Sequence, residues 1–283
     1  MNTLREIRRR IQSVINVKQI TNAMEKVAVA RLHRAQVKAE QSHRYAEKLS
    51  KILDHLAQSS SDFNHPFFVP REVKKTGMVI VAADRGLCGS YNSSLFCKAD
   101  KILKNYTPAN VELILIGRKA VNHYQHKKWP IRHQIKEWGG KIQFNEEKSL
   151  SHQLVQWYLH GDFDEIWLIY THFVSIMTRE VMHEKFLGLS KPKSQKISQD
   201  YIFEPNPAEI YDELLPRYCL SKVQTILDEA YASELAARAF SMRKATKNAE
   251  EMLISLTLVR NKIRQAGITK EMIEITTGAE GIR

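Results

Sequence analysis

The sequence is 283 residues long and 43% of its residues are hydrophobic, which suffices for one or two domains with a buried core. No run reaches the roughly 18 apolar residues that a membrane span needs, and the polar, basic start of the chain predicts no signal peptide. The formal net charge of +12 favours an acidic partner, which leaves nucleic acid, an anionic membrane surface and an acidic protein face as alternatives.

Two long segments without glycine or proline flank a middle region in which both residue types recur. The first proline is Pro66 and the first glycine is Gly77, and neither residue type occurs between Arg217 and Ala266. Since glycine and proline interrupt helices, both segments are predicted to be long helices. We place an N-terminal coiled-coil arm at residues 1–65, an α/β domain with a return loop at 66–207, and a C-terminal coiled-coil arm at 208–283.

The first arm carries apolar and small residues in alternating steps of four and three, the spacing of a coiled-coil seam. The main seam comprises Ala28, Leu32, Ala35, Ala39, Ser42, Ala46, Leu49, Leu53 and Leu56. An earlier stripe of the same kind comprises Leu4, Ile7, Ile11 and Val14. Between the two, the pattern predicts a register slip. The apolar face of that stretch is assigned to Val17, Ile20, Met24 and Val27, and the residues that interrupt the seam are Lys18, Thr21 and Glu25.

The second arm repeats the pattern. Its predicted seam comprises Met242, Ala245, Ala249, Met252, Leu256, Val259, Ile263 and Ala266. Both seams are rich in alanine, so two such helices can approach closely. Because each arm has one partner available in the same chain, we predict an intramolecular antiparallel pair. The alternative is that each arm pairs with another molecule.

The middle of the chain alternates short apolar runs with helix-like stretches. Predicted strands lie at residues 78–83, 111–116 and 165–171, and predicted helices at 92–104, 118–127 and 148–160. This alternation predicts a small parallel sheet covered by helices, in a Rossmann-like α/β domain. Residues 129–144 show no clear pattern, and 191–207 are predicted to be a loop that leads into the second arm.

A glycine-rich turn follows the first predicted strand, at the position where a dinucleotide-binding turn would lie. Its sequence is DRGLCG at residues 84–89, which is not GxGxxG, and no GK[ST] occurs. A turn that presents Arg85 and Cys88 is therefore the better interpretation. The sequence contains neither HExxH nor GxSxG, and three scattered cysteines suit neither a disulfide framework nor a metal site. We predict no catalytic residue and no cofactor.

Two other classes of function are compatible with the residues alone. The basic start of the first arm favours a coiled-coil protein that binds nucleic acid, although residues 1–44 contain no aromatic side chain that could stack on bases. An enzyme with a nucleotide site on the α/β domain is the other alternative, and it depends on the turn at 84–89.

Several motifs resemble the gamma subunits of F-type ATP synthases. In the first arm they are LREIRRRI at 4–11, ITNAM at 20–24 and RAQ at 34–36. In the middle they are DRGLCG at 84–89 and YIFEP at 201–205. In the second arm they are SELAAR at 233–238, ATKNA at 245–249 and NKIRQAGIT at 261–269. These motifs cover both arms and their junctions with the middle domain.

The resemblance implies a non-catalytic rotating shaft. Its arms would form an antiparallel coiled coil inside a hexamer of alternating alpha and beta subunits, and its middle domain would lie beside the epsilon subunit and the ring of c subunits. Ion flow would turn the ring and the shaft, which would drive the beta subunits through open and closed states. The resemblance further implies a peripheral location on the cytoplasmic face of the cell membrane, reached only through the ring, and no nucleic-acid partner.

The resemblance also assigns partner contacts to particular residues. Those matched to the catalytic hexamer are Met24, Arg85, Cys88, Arg264 and Gln265. Those matched to the epsilon subunit and the c ring are Tyr201 and Glu204. An acidic hinge segment of beta is the expected partner of Arg85 and Cys88. The alternatives are coiled-coil packing for Met24, a loop anchor for Tyr201, and solvated charges for Arg85 and Arg264.

Overall fold

The computed structural model describes residues 4–59, 71–139, 144–188 and 207–280. The elements in chain order are α1 (Leu4–Ser59), β1 (Thr76–Val81), α2 (Tyr91–Leu103), β2 (Val111–Ile116), α3 (Arg118–Tyr124), β3 (Ile131–Ile135), α4 (Phe144–Leu159), β4 (Glu165–Phe173), β5 (Arg179–Leu187) and α5 (Pro207–Glu280). By packing, the chain forms two compact units, a helical unit of residues 1–28 with 238–283 and an α/β unit of residues 29–237. Over the described ranges, no helix combines the length and the apolar character that crossing a bilayer requires.

The helical unit is a two-helix pair whose order is antiparallel. Lys18 of α1 pairs with Glu250 of α5 at 3.0 Å, Thr21 contacts Thr246 at 2.8 Å between hydroxyl oxygens, and Glu25 accepts from Arg243 at 3.1 Å. As the number rises along α1, the partner's number falls along α5. The predicted intramolecular antiparallel pair is therefore confirmed.

The predicted register slip in α1 is wrong. Thr21 is 9% exposed and Lys18 and Glu25 are half-buried, whereas Val17, Ile20 and Val27 are exposed. The steps of four and three thus continue unbroken through the polar residues from Val14 to Ala28. In this stretch polar residues face α5 and apolar residues face outward, because polar partners on α5 pair with the seam residues. A search for apolar periodicity cannot detect this arrangement.

The seam of α5 is also partly different from the prediction. Met242 and Ala249 are buried, and Leu256 and Ile263 are half-buried, as predicted. However, Met252, Val259 and Ala266 are exposed, and the half-buried Leu253 and Arg260 face inward instead. Since α5 carries apolar residues on several faces, its periodicity alone allowed more than one stripe. Pairing with α1 selects one of them.

The α/β unit contains one five-stranded sheet in the order β3-β2-β1-β4-β5. Strands β1 to β4 are parallel, and β5 is antiparallel to β4. The three predicted strands and three predicted helices of this region are present with small shifts at their ends. The prediction was a small parallel sheet, and the antiparallel β5 makes the sheet mixed. Both strands that the sequence pattern did not indicate, β3 and β5, lie at its edges.

Helices cover both faces of this sheet, as an α/β fold requires. On one face, α2 and α3 contribute Leu95, Leu103 and Val121 to a buried core with Met78 and Ile80 of β1. On the other face, the core contains side chains from α4, from the end of α1 and from the start of α5, and its largest buried members include Leu56, Leu154, Tyr158, Phe163 and Tyr211. The sheet therefore anchors the segments of the long helices that belong to this unit.

A buried carboxylate ties the sheet together where β4 begins. Glu165 accepts from the Thr76 hydroxyl at 3.1 Å and pairs with the Lys185 ammonium at 2.7 Å. Burial raises the pKa of Glu165, but the Lys185 ammonium and the Thr76 hydroxyl outweigh burial and hold the pKa below its usual value. A carboxyl whose pKa is lower in the folded chain stabilises the fold at neutral pH, and this stabilisation disappears as the pH falls through the folded-state pKa.

We expect Glu165→Gln to weaken the pH dependence of stability in acid. At pH 7 the variant should unfold at a lower urea concentration than the parent, and between about pH 5 and pH 3 the two should converge. Tryptophan fluorescence during urea titration of the isolated chain measures this. Glu72→Gln is the control, because Glu72 is exposed and its contact with Lys74, at 3.5 Å, lies on the surface. Parallel curves for parent and Glu165→Gln would contradict the proposed role of this carboxylate.

Candidate partner-binding surface

The turn that follows β1 is held by one carboxylate. Oδ1 of Asp84 accepts from the backbone N–H of Arg118 at 2.9 Å and of Glu137 at 3.0 Å, and Oδ2 accepts from the N–H of Gly139. Since β1, β2 and β3 are parallel, the segments that follow them meet at one edge of the sheet, which brings these donors to Asp84. The next side chain, Arg85, is exposed. The turn, held in place by Asp84, therefore presents the Arg85 guanidinium to solvent.

Cys88 lies on the inner side of the same turn. It is 2% exposed, its thiol donates to the carbonyl of Arg85 at 3.8 Å, and its sulfur accepts from Nδ2 of Asn92 at 3.3 Å. Oδ1 of Asn92 in turn accepts from the N–H of Ala83 at 3.1 Å. Of the two predicted contact residues in this turn, the structure exposes Arg85 and buries Cys88. The thiol fixes the shape of the turn.

Helix α5 packs into the crevice at the carboxyl ends of β1 and β4. In doubly wound folds, ligands bind at this point, where connections leave in opposite directions. Here Ala83, Cys88 and Tyr91 form a buried cluster with Ala237 of α5, and the Tyr91 hydroxyl donates to the carbonyl of Ala230 at 3.1 Å. The turn is therefore connected directly to the long helix.

Two adjacent acidic residues of α5 attach this helix to α1 and β4 inside the α/β unit. Asp228 accepts from the Lys38 ammonium and from the Ser42 hydroxyl, both at 2.8 Å. Glu229 contacts His172 at 2.7 Å and His43 at 3.3 Å. Both carboxylates are buried. The sequence reading did not single them out, although two consecutive acids within an apolar stretch are a detectable signal for buried polar contacts.

The remaining predicted contact residues differ in exposure. Arg264 and Gln265 are exposed on α5, and Met24 is half-buried on α1. Tyr201 and Glu204 lie outside the described residues. In the part of the chain that the structure describes, no group of three or more histidine, cysteine or acidic side chains is placed to hold a metal ion.

The helical unit exposes many large apolar side chains. On α1 these are Val17, Ile20 and Val27, and on α5 they are Met252, Ile254, Leu258, Val259, Ile268, Met272, Ile273 and Ile275. Isolated exposed apolar residues are normal, but an extended set of this kind marks a surface for another macromolecule. Because Arg264 and Gln265 lie within it, the candidate partner-binding surface of this unit is apolar with polar residues interspersed.

Comparison with known proteins identifies relatives over the whole chain. The chain matches the protein family described as ATP synthase over residues 3–282. It is 55% identical to the ATP synthase gamma chain of Protochlamydia amoebophila over the full length of both proteins. The ATP synthase gamma chain of Moorella thermoacetica is 39% identical, again over the full length of both. That of Glaesserella parasuis is 38% identical over 98% of this chain and 99% of the relative.

Solved structures share the fold. A chain from the Euglena gracilis mitochondrial ATP synthase (OSCP/F1/c-ring, rotational state 3) aligns with a TM-score of 0.68 at 16% identity, covering 99% of this chain and 94% of that one. A chain from the central stalk and c-ring of the Tetrahymena thermophila mitochondrial ATP synthase aligns with a TM-score of 0.62 at 24% identity, covering 80% and 99%. The combination of long terminal helices with a five-stranded α/β unit is thus an established fold.

Proposed function

Because the chain belongs to the ATP synthase gamma-chain family, we propose that it is the central rotating shaft of an F-type ATP synthase and does not itself catalyse a reaction. The alpha and beta subunits of the catalytic hexamer would surround the helical unit, and the epsilon subunit and the c ring would bind the α/β unit. The shaft would then be peripheral on the cytoplasmic face of the membrane, held there through the ring. The family assignment gives no support to the alternative of a nucleic-acid-binding protein.

The observation that carries this proposal is the exposed apolar surface of the helical unit. Its two helices turn polar side chains toward each other at Lys18, Thr21 and Glu25, while Val17, Ile20 and Val27 face outward. An isolated two-helix protein gains nothing from this inversion, because apolar side chains in water cost free energy. A shaft enclosed by other subunits gains a surface that those subunits can cover.

Helix continuity supports transmission of torque. Helices α1 and α5 contain 56 and 74 residues, and α5 continues without interruption through Pro216, Gly267 and Gly278. A shaft must also present different contacts to each catalytic subunit, since a ligand with equal contacts to all states shifts no equilibrium. Two non-identical helices around one axis provide such asymmetry. Coupling would follow because each orientation of the shaft favours a different conformation of each beta subunit.

We expect Arg85→Glu and Arg264→Glu to uncouple the enzyme without preventing its assembly. Both guanidinium groups are exposed, and by family resemblance both face acidic loops of the beta subunits. Close charge pairs contribute roughly 1 to several kcal/mol when desolvated and little when exposed, and rotation must break and remake them. ATP-driven ion pumping should therefore fall more than ATP hydrolysis, measured together in vesicles reconstituted with each variant complex.

Lys101→Glu provides the matched control, because Lys101 is exposed near the end of α2, close to the opposite edge of the sheet. It should keep the parent ratio of pumping to hydrolysis. If both arginine variants also keep that ratio, the two residues are solvated charges and the site assignment fails. If the chain does not enter the complex at all when mixed with alpha and beta subunits, the proposed function fails.

A further inference from the structure

Glu229 of α5 is a buried carboxylate that contacts two imidazoles. Its Oε2 lies 2.7 Å from Nδ1 of His172 in β4, and its Oε1 lies 3.3 Å from Nδ1 of His43 in α1. The Glu229 side chain is 8% exposed. Within the described part of the chain, no lysine or arginine pairs with this carboxylate. Its negative charge therefore has no permanent positive charge in direct contact.

The preceding residue of α5 is paired in a different way. Asp228 is also buried, but it accepts from the Lys38 ammonium and from the Ser42 hydroxyl, both at 2.8 Å. A lysine keeps its charge through the neutral pH range, whereas an imidazole changes its charge between about pH 5 and pH 8. Two adjacent carboxylates thus attach α5 to α1, one through a constant charge and the other through groups that titrate.

The surroundings of Glu229 supply no other positive charge. The titratable or charged side chains near it and its two imidazoles are His33, Lys38, Glu40 and Arg44 of α1, Tyr170 of β4, Glu180 of β5 and Asp228 of α5. The lysine and the arginine already pair with carboxylates of their own. Burial, together with nearby carboxylates, raises the pKa of the Tyr170 phenol, which therefore stays neutral. Arg179 of β5 interacts electrostatically with Cys88 and Tyr91. Among the described side chains, only the two imidazoles are placed to give this carboxylate a charged partner.

A cavity gives both imidazoles access to water. It has a volume of about 510 Å³ and is lined by residues of α1, of the end of β4 and of α5, among them His43, His172 and Glu229. The side chain of His43 is 59% exposed and that of His172 is 36% exposed. Because both rings reach solvent, either can take up a proton without the full cost of burying a charge. The carboxylate between them is the buried member of the group.

We propose that His43, His172 and Glu229 form a proton-dependent latch that holds α1 and β4 on α5 more firmly at about pH 6 than at about pH 8. With one imidazole protonated, the buried carboxylate gains a charge-assisted hydrogen bond. With both imidazoles neutral, it keeps hydrogen bonds but remains a buried charge without a counter-charge, which costs free energy. A folded state that binds more protons than the unfolded state gains stability as the pH falls. The contribution of the latch is therefore present in weak acid and is lost as the imidazoles deprotonate.

The position of the latch indicates what it controls. It joins segments of α1 and α5 that approach the limits of the α/β unit at residues 29 and 237. Its state therefore determines how firmly both long helices are held where they leave this unit. The property belongs to the isolated chain, so its test does not depend on the proposed function.

Hydrogen–deuterium exchange of the full-length chain, followed by mass spectrometry at pH 6 and pH 8, tests the latch. After correction for the intrinsic pH dependence of exchange, the helical peptides around residues 43 and 229 should open roughly three- to tenfold more often at pH 8 than at pH 6 in the parent. Glu229→Gln keeps an oxygen that accepts a hydrogen bond but removes the charge. In this variant the corrected opening should be the same at both pH values.

Asp228→Asn is the matched control, because it removes the neighbouring charge whose partner does not titrate. Opening should increase at both pH values, and the ratio between them should stay as in the parent. A chain that combines His43→Gln with His172→Gln should open at pH 6 as often as the parent does at pH 8.

Two results would overturn the latch. One is equal corrected exchange of these peptides at both pH values in the parent. The other is a Glu229→Gln chain that keeps the parent ratio, since the pH dependence would then come from other histidines. If Glu229→Gln does not fold, the chain with both histidine substitutions decides by the same criterion, and a parent-like ratio in that chain overturns the proposal.

Discussion

Gly117→Ala is expected to destabilise the α/β unit more than any other substitution considered for this chain. A Cβ at this position would lie 2.1 Å from the carbonyl oxygen of Ala82 and 2.8 Å from its carbonyl carbon, and φ of residue 117 is 95°. The atoms in conflict belong to the backbone of the chain leaving β1, so no side-chain rotation relieves the clash. That carbonyl also accepts from the indole N–H of Trp138 at 3.0 Å, which limits its movement. Clash and strain together should cost about 4 kcal/mol or more.

Urea unfolding of the isolated chain, followed by tryptophan fluorescence, measures this cost. Gly86→Ala is the matched control, because nothing lies within 4 Å of a Cβ there and the residue has no left-handed backbone. The control should unfold within about 0.5 kcal/mol of the parent. A Gly117→Ala chain that unfolds at the parent midpoint would show that β1 and the β2–α3 junction can separate without cost.

Asp84→Ala should produce the second largest loss, and it should affect both stability and coupling. The substitution leaves the backbone N–H groups of Arg118, Glu137 and Gly139 without their acceptor. A hydrogen bond to a charged group contributes roughly 1.5–3 kcal/mol, and partial access of water reduces this, so we expect a total of about 3 kcal/mol. Once the turn loosens, Arg85 is no longer held in position, so ion pumping should fall relative to hydrolysis even where the variant assembles.

Asp84→Asn separates charge from geometry. The amide keeps one oxygen that can accept from Arg118 and Glu137 but replaces the acceptor of Gly139 with a donor. We expect its unfolding midpoint to lie between those of the parent and Asp84→Ala. If alanine and asparagine variants match the parent in both unfolding and coupling, the clamp on this turn is not required for either.

Apolar patterning in the sequence predicted the buried strands and the long helices. Strands β1, β2 and β4 are central in the sheet and are buried on both faces, so their sequences read as continuous apolar runs. The sequences of the edge strands show no such continuous apolar run. In β3, the exposed Arg132 and Gln134 alternate with Ile131, His133 and Ile135. Strand β5 mixes acidic, basic and apolar side chains, and only its last two residues, Phe186 and Leu187, are buried. Half-exposed edge strands therefore carried too weak a pattern to be recognised.

The candidate site was only partly predictable for a different reason. Family motifs indicated Arg85 and the turn that presents it, but whether Cys88 faced a partner or the core depended on contacts with Asn92 and Tyr91, which the fold creates. The turn after β1 and the hairpin between β4 and β5 are separated by about 90 positions in the sequence, and only parallel pairing of β1 with β4 places them at one edge of the sheet. The role of Asp228 and Glu229 likewise depends on the fold, which places Lys38, Ser42 and two histidines beside them.

The three polar side-chain pairs between α1 and α5 oppose sliding of one helix along the other. If α5 moved by one heptad in one direction, Glu25 would face Glu250, and in the other direction Lys18 would face Arg243. Either shift would also place the Thr21 hydroxyl opposite an aliphatic side chain, without its partner Thr246. Like charges and an unpaired buried hydroxyl both cost free energy, whereas a uniform seam of alanine and leucine would tolerate such a shift. The axial position of one helix against the other is therefore fixed by three pairs of side chains, which would keep the length of the helix pair constant under an axial load.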